Sequence, residues 1–146
     1  TIEQLIGVTY IVVYRIASAD GTSVTAVKRI KASLNPTPNN NPTLSSILAD
    51  NSTLSSLPST HVTFTPNYTG SSEETYQTVT NDGTIGSKTE SLITSWFVSE
   101  GALDYLRTTG RDGNGYTINY RPSSAVVIMG VLRDDRGGED FIKLEL

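Results

Sequence analysis

The segment LIGVTYIVVYRIA, residues 5–17, decides the fold class of this 146-residue chain. β-branched and aromatic side chains dominate it, and these are the residues that fit the pleated surface of a strand. One face of the predicted strand carries Val8, Tyr10, Val12, Tyr14 and Ile16, and the other carries Thr9, Ile11, Val13 and Arg15. Because both faces are apolar in the middle, we expect one to be covered by a core and the other by a neighbouring subunit.

A turn follows this strand. The dipeptide Asp20-Gly21 is a strong hairpin signal, and the alternating residues 23–34 after it predict the return strand. Lys28, Arg29 and Lys31 form a small basic patch on that strand. We interpret the patch as a solvated face or as protection of a sheet edge against unwanted pairing.

Residues 35–60 differ in character. Three prolines in NPTPNNNPT prevent regular structure, so the sequence predicts a long extended loop, with one helical turn after Thr43. The loop is too apolar for a flexible linker, since it contains Leu44, Ile47, Leu48, Leu54 and Leu57. We expect this segment to dock onto its own domain or onto another chain.

Alternating segments fill the rest of the chain. The predicted strands are 61–68, 74–80, 85–97, 115–121, 125–133 and 140–146. Ser99 as an N-cap, Glu100 in the first turn and the spacing of Ala102, Leu103 and Leu106 predict one short helix that ends near Gly110. The predicted fold is therefore a single β-rich domain over 1–146: an antiparallel β-sandwich or barrel with one short α-helix and a long loop.

Composition excludes several classes of function. The net charge is −4 and no basic stripe is present, which argues against a protein that grips nucleic acid through its phosphates. The chain has no cysteine, so disulfides, thiolate catalysis and cysteine-zinc sites are excluded. No stretch approaches the roughly 20 apolar residues that a membrane span needs, and no leader peptide is evident.

The motifs that might perform chemistry are incomplete. Asp112-Gly113-Asn114-Gly115 resembles part of a calcium loop, but Gly110 and Arg121 stand where the flanking ligands belong. Arginines are interleaved with the carboxylates of 134–140, so a polar hairpin loop is the better interpretation there. His61 has no evident partner to orient it as a base. We therefore predict no enzymatic activity, no metal and no cofactor.

The central and C-terminal segments resemble the tail tube proteins of long-tailed phages and of related injection systems. The resemblance lies in FTPNYTGSSEETYQTVTNDGTIGSKTESLITSWF at 64–97, in VSEGALDYLRTTG at 98–110 and in GYTINYR at 115–121. Their order is paired strands around an Asp-Gly turn, then a short helix, then a strand. The resemblance covers about half of the chain and includes no diagnostic motif.

The resemblance implies a virion protein, assembled in the host cytoplasm, whose hexameric rings stack into a hollow tube beside other tail proteins. DNA would pass through without sequence-specific binding, and an acidic bore would favour sliding because like charges repel. The predicted subunit interface comprises Ile11, Val13, Leu44, Ile47, Leu48, Leu54 and Leu57. The acidic candidates for the lumen are Glu73, Glu74, Asp82 and Glu90.

Alternatives stay open at this point. Sequons at Asn51 and Asn67, together with the Thr and Ser content, suit a secreted surface filament with donor-strand, pilin-like subunits. Another phage structural part, such as a capsid cement or tail-completion protein, belongs to the same class as the first hypothesis. A carbohydrate-binding module is a further alternative, and Trp96 is its strongest candidate residue.

Overall fold

The computed structural model describes residues 1–58, 60–118 and 125–146. The chain is mainly β, its sheets are antiparallel, and the described residues contain one short α-helix, which confirms the predicted fold class. In chain order the elements are α1 (Ile2–Ile6), β1 (Val8–Ala17), β2 (Ser23–Ala32), β3 (Leu44–Ala49), β4 (Ser52–Thr53), β5 (Val62–Tyr68), β6 (Thr75–Val79), β7 (Ile85–Thr89), β8 (Ile93–Val98), β9 (Ala102–Leu103), β10 (Arg107–Thr109), β11 (Asn114–Thr117), β12 (Val127–Arg133) and β13 (Glu139–Glu145).

The chain divides into two compact units. The hairpin unit comprises residues 1–38 and 75–88, and the core unit comprises residues 39–74 and 89–146. That the whole chain behaves as one domain stays a prediction.

The hairpin unit is built from two hairpins and α1. Strands β1 and β2 pair over ten consecutive positions, from Val8 opposite Ala32 to Ala17 opposite Ser23. The predicted Asp-Gly turn joins them: Gly21 has a φ of 86°, and the Asp20 carboxylate accepts the Thr22 N–H at 2.9 Å. Strands β6 and β7 form the second hairpin. The Leu34 N–H donates to the Gln4 carbonyl at 2.9 Å and ties the end of β2 to α1.

The core unit contains two sheets that face each other. Their strand orders are β10-β8-β12-β13 and β4-β3-β5-β11-β9. Trp96 and Ile128 of the four-stranded sheet and Phe64 and Tyr116 of the five-stranded sheet meet in one core. The Phe64 ring centroid lies 4.9 Å from that of Tyr116 and 6.1 Å from that of Trp96. Within the described part of the chain the two sheets are not joined into a closed barrel, so the arrangement is a sandwich.

The predicted helix after Ser99 is wrong. Residues of that segment form β9 and β10, and β9 pairs with β11. Gly101 has a φ of 86°, which a right-handed helix does not allow. Leu106, expected on the buried side of the helix, is 73% exposed. The short helix of this fold is α1 at the other end of the sequence.

The predicted loop over 35–60 is also wrong in part, because strands β3 and β4 interrupt it between residues 44 and 53. The predicted helical turn after Thr43 is strand β3, which has an irregular register between Leu44 and Ser46. A bulge of this kind adds one residue to the strand and shifts the following side chains to the other face. Leu44 and Ile47 therefore both point into the core, although they are three residues apart.

The predicted strand 85–97 is two strands. Strand β7 ends at Thr89, and β8 begins at Ile93 in a different sheet. Part of the predicted strand 115–121 forms β11, and its residues 119–121 lie outside the described part of the chain.

Candidate assembly surface

The β1–β2 hairpin has two faces of different chemistry, because side chains alternate along each strand and the register is unbroken. We call one the tyrosine face: it consists of Val8, Tyr10, Val12, Tyr14, Ile16, Val24, Ala26, Lys28, Ile30 and Ala32. We call the other the basic face: it consists of Thr9, Ile11, Val13, Arg15, Ala17, Ser23, Thr25, Val27, Arg29 and Lys31. The tyrosine face carries a single charged residue.

The apolar side chains of the tyrosine face are open to solvent. Exposed fractions are 59% for Val8 and Tyr10, 53% for Tyr14, 72% for Ile16, 70% for Val24 and 48% for Ile30. Burial of one such aliphatic or aromatic side chain contributes about 1.5–3 kcal/mol. Six of them on one ribbon form an exposed patch of the kind that marks an interaction site.

Two of the predicted interface residues lie on the basic face of this hairpin. Ile11 is 63% exposed and Val13 is 61% exposed, and both stand among Arg15, Arg29 and Lys31. The basic patch predicted from sequence is divided, because Lys28 lies on the tyrosine face. Both hairpin faces are thus available for contacts, and the tyrosine face is the more apolar.

The other predicted interface residues belong to the core unit. Leu44, Ile47 and Leu54 are buried, at 4%, 1% and 7% exposure. Leu57 packs against the same core, and Leu48 is half-buried on β3. Leu44, Ile47, Leu54 and Leu57 thus dock onto their own unit, which is one of the two possibilities that the sequence left open.

Two of the predicted lumen acids form a buried ion-pair cluster. Arg136 Nε donates to Glu90 Oε1 at 2.5 Å, and its Nη2 donates to Glu74 Oε2 at 2.6 Å. The Glu90 side chain is fully buried, while the side chains of Arg136 and Glu74 are 8% and 17% exposed. Carboxylates neutralised in this way add little to the field that a passing polyanion would meet.

Competing effects act on the Glu74 carboxyl. Burial alone would raise its pKa, but hydrogen bonds from Asn40 and the nearby Arg136 guanidinium outweigh burial, so the pKa lies below its usual value. The backbone N–H of Asn40 donates to Glu74 Oε2 at 3.1 Å, and the Asn40 side-chain amide donates to the other oxygen. The sequence shows that arginines are interleaved with the carboxylates of 134–140. It does not reveal that Arg136 pairs with Glu74 and Glu90, which lie 62 and 46 residues away.

The remaining two acids are exposed. Glu73 accepts a hydrogen bond from the Tyr68 hydroxyl at 3.2 Å in the core unit. Asp82 lies in the β6–β7 turn of the hairpin unit, where hydrogen bonds from Thr80 and Thr84 lower its pKa to about 2. Both carboxylates are therefore accessible, and their placement in a lumen stays a prediction.

His61 has a partner that the sequence did not reveal. Its Nε2 lies 3.3 Å from Asp104 Oδ2, and both side chains are about half exposed. Gly115 lies beneath them, because a Cβ there would overlap the Asp104 carboxylate. The two residues are 43 positions apart, so only the fold brings them together. In the described residues no group of three or more His, Cys, Asp or Glu side chains is placed to hold a metal.

Comparison with known proteins finds no family model that matches this chain, no significantly similar characterised protein and no significantly similar solved structure. Of the helices in the described residues, none has the length and apolarity to cross a membrane.

Proposed function

We propose that this chain is a structural protein that assembles with copies of itself, and specifically a tail tube subunit of a phage virion. The observation that carries the proposal is the β1–β2 hairpin, whose apolar side chains are exposed on both faces. A two-stranded ribbon is only marginally stable in water by itself. Contacts with a neighbouring copy would supply the burial that the ribbon lacks.

The strand edges support the same function. Among the described residues, neither β1 nor β2 pairs with a third strand. A long unpaired edge is a template for another chain, and natural proteins cover or charge such edges. In a ring or a tube, neighbouring copies cover them.

The charge of the chain suits a conduit for DNA. A net charge of −4 gives a surface that repels phosphates, so a duplex could slide past without being held. Glu73 and Asp82 are the exposed candidates for the bore. Glu74 and Glu90 hold Arg136 within the core unit.

The test combines light scattering with negative-stain electron microscopy of the purified chain over a range of concentrations. We expect rings or hollow tubes with a pore wide enough for duplex DNA. Solid, thin filaments would favour the surface-filament alternative instead. A monomer at every concentration would overturn self-assembly.

A further inference from the structure

The outward face of the four-stranded sheet carries an apolar patch in the core unit. Phe97 lies opposite Met129, and Val131 lies opposite Phe141, so these four residues are adjacent across β8, β12 and β13. We call them the outer patch. Phe97 is 49% exposed and Phe141 is 63% exposed, whereas their neighbours Ile128 and Leu132 point the other way into the core. An outward sheet face is normally polar when it meets water.

We propose that the tyrosine face of one copy docks onto the outer patch of the next copy. This inference rests on the proposed self-assembly and names its two surfaces. Phe97 and Phe141 lie on β8 and β13, which are two strand spacings or about 10 Å apart. The patch is therefore wide enough to receive a two-stranded ribbon, whose strands are one spacing apart. The ten-residue hairpin, about 34 Å long, can lie across the patch as one sheet packs on another.

Charge favours contact between unlike units of two copies. The hairpin unit contains five Lys or Arg and three Asp or Glu, a net charge of +2, and the core unit contains six and twelve, a net charge of −6. Contact between two hairpin units, or between two core units, would bring like charges together. Contact between a hairpin unit and a core unit brings opposite charges together and steers their encounter.

This contact is heterologous, because each copy offers one surface and receives the other. Such contacts generate closed rings or open helical arrays. The same property gives a sharp test: two variants that each lack one surface cannot polymerise alone, but they retain one complementary pair of surfaces between them.

The first variant, Tyr14→Thr with Ile16→Thr, removes apolar area from the tyrosine face. The second, Phe97→Thr with Phe141→Thr, does the same to the outer patch. Threonine keeps β propensity, and the fluorescence of Trp96 with circular dichroism checks the fold of each variant. The matched controls are Val13→Thr with Val27→Thr, a directly opposed pair on the basic face, and Tyr105→Thr, an exposed aromatic outside the outer patch.

Light scattering should show each variant alone as a monomer, and their equimolar mixture as a one-to-one dimer. We expect the concentration for half-assembly to rise at least about tenfold in each variant and to change less than about threefold in each control. If the variant with Phe97→Thr and Phe141→Thr still self-associates, the proposed docking surfaces are wrong while self-assembly stands. The same holds if only the control with Val13→Thr and Val27→Thr abolishes assembly. If the wild-type chain is itself a monomer throughout, the proposed function fails first.

Discussion

Arg136 holds Glu90 in the interior of the core unit, where its Nε donates to Glu90 Oε1 at 2.5 Å and the Glu90 side chain has no exposed surface. The two residues are 46 positions apart. Glu74 completes the cluster: its carbonyl accepts the Glu90 N–H at 2.9 Å, and its own N–H donates to Glu90 Oε2 at 3.1 Å. One guanidinium thus joins the end of the segment 39–74 to the start of 89–146.

Removal of Arg136 should be among the most damaging single substitutions in the core unit. Arg136→Met leaves the buried Glu90 carboxylate without its cation, and loss of one partner of a buried pair costs about 3–5 kcal/mol. Urea unfolding followed by Trp96 fluorescence measures the change in the free energy of unfolding. The matched control is Arg133→Met, which breaks a half-exposed pair with Glu139 and should cost about 1 kcal/mol or less. Equal losses in the two variants would contradict the prediction.

The pH dependence of stability should report on Glu74. Its pKa in the folded chain is below the usual 4.5, so the unfolded chain takes up its proton first as the pH falls. The stabilising contribution of Glu74 is therefore complete above about pH 4.5 and is lost as the pH falls below that value. Urea midpoints between pH 3 and pH 7 should fall less steeply for Glu74→Gln than for the wild-type chain. Asn40→Ala, which removes a hydrogen-bond donor to the carboxylate, should also flatten the curve, and unchanged slopes in both variants would disprove the assignment.

Two buried threonines provide a matched comparison. The Trp96 Nε1–H donates to Thr108 Oγ1 at 2.9 Å, whereas Thr94 Oγ1 has no hydrogen-bond partner among the described residues. Thr108→Val leaves a buried N–H unpaired and should lower the free energy of unfolding by about 1–3 kcal/mol. Thr94→Val removes a hydroxyl that has no partner to lose, so it should be neutral or stabilising. Thermal unfolding of both variants decides the matter, and the opposite ranking would show that the hydrogen bond is misassigned.

Two glycines should respond differently to alanine. Gly101 has a φ of 86°, and a Cβ there would overlap the Thr117 carbonyl oxygen and lie 2.9 Å from the Tyr116 ring. Gly101→Ala should therefore cost about 1–3 kcal/mol, because neither the backbone nor the buried ring can move easily.

At Gly115 the obstructing atoms are the exposed ends of Asp104 and His61, which can rotate away. Gly115→Ala should cost about 1 kcal/mol or less, and the further change Asp104→Ala should recover part of the loss. Chemical denaturation of the three variants provides the measurement. A larger loss for Gly115→Ala than for Gly101→Ala would be inconsistent with this geometry.

The local features of this fold were predictable from sequence. The β1–β2 hairpin depends on alternation within 5–17 and on the Asp20-Gly21 turn, and both act between residues close in the chain. The hairpin therefore appears where the sequence predicts it. The alternation of polar and apolar residues along the strand segments was also sufficient to predict a mainly antiparallel β protein.

The two mistaken helical segments have a physical cause. The bulge in β3 brings Leu44 and Ile47 to the same face at a spacing of three, which is also the spacing of a helix. After Ser99, Leu103 packs toward the core from a two-residue strand while Leu106 remains exposed, so their helical spacing was coincidental. In both places pairing with a distant strand determines the structure, and that pairing cannot be read from a short window.

The contacts of the candidate sites were harder to predict. His61 with Asp104, and Arg136 with Glu74 and Glu90, join residues 43 to 62 positions apart. Composition identified these residues as charged, but only the fold determines which of them meet. The division of the basic patch between two hairpin faces, in contrast, follows directly from alternation.

The hairpin has a consequence for the timing of synthesis. Only residues 18–22 separate β1 from β2, so the ribbon can close within microseconds of leaving the ribosome. The core unit needs contacts between residues that are distant in sequence, such as the hydrogen bond from the Leu44 N–H to the Asp140 carboxylate, 96 residues away. β proteins that depend on long-range contacts of this kind fold in milliseconds to seconds. A nascent chain can therefore close its ribbon before its own core unit has completed the sheet that would receive a ribbon. The supply of finished core units, rather than the formation of ribbons, should set the pace at which polymer grows.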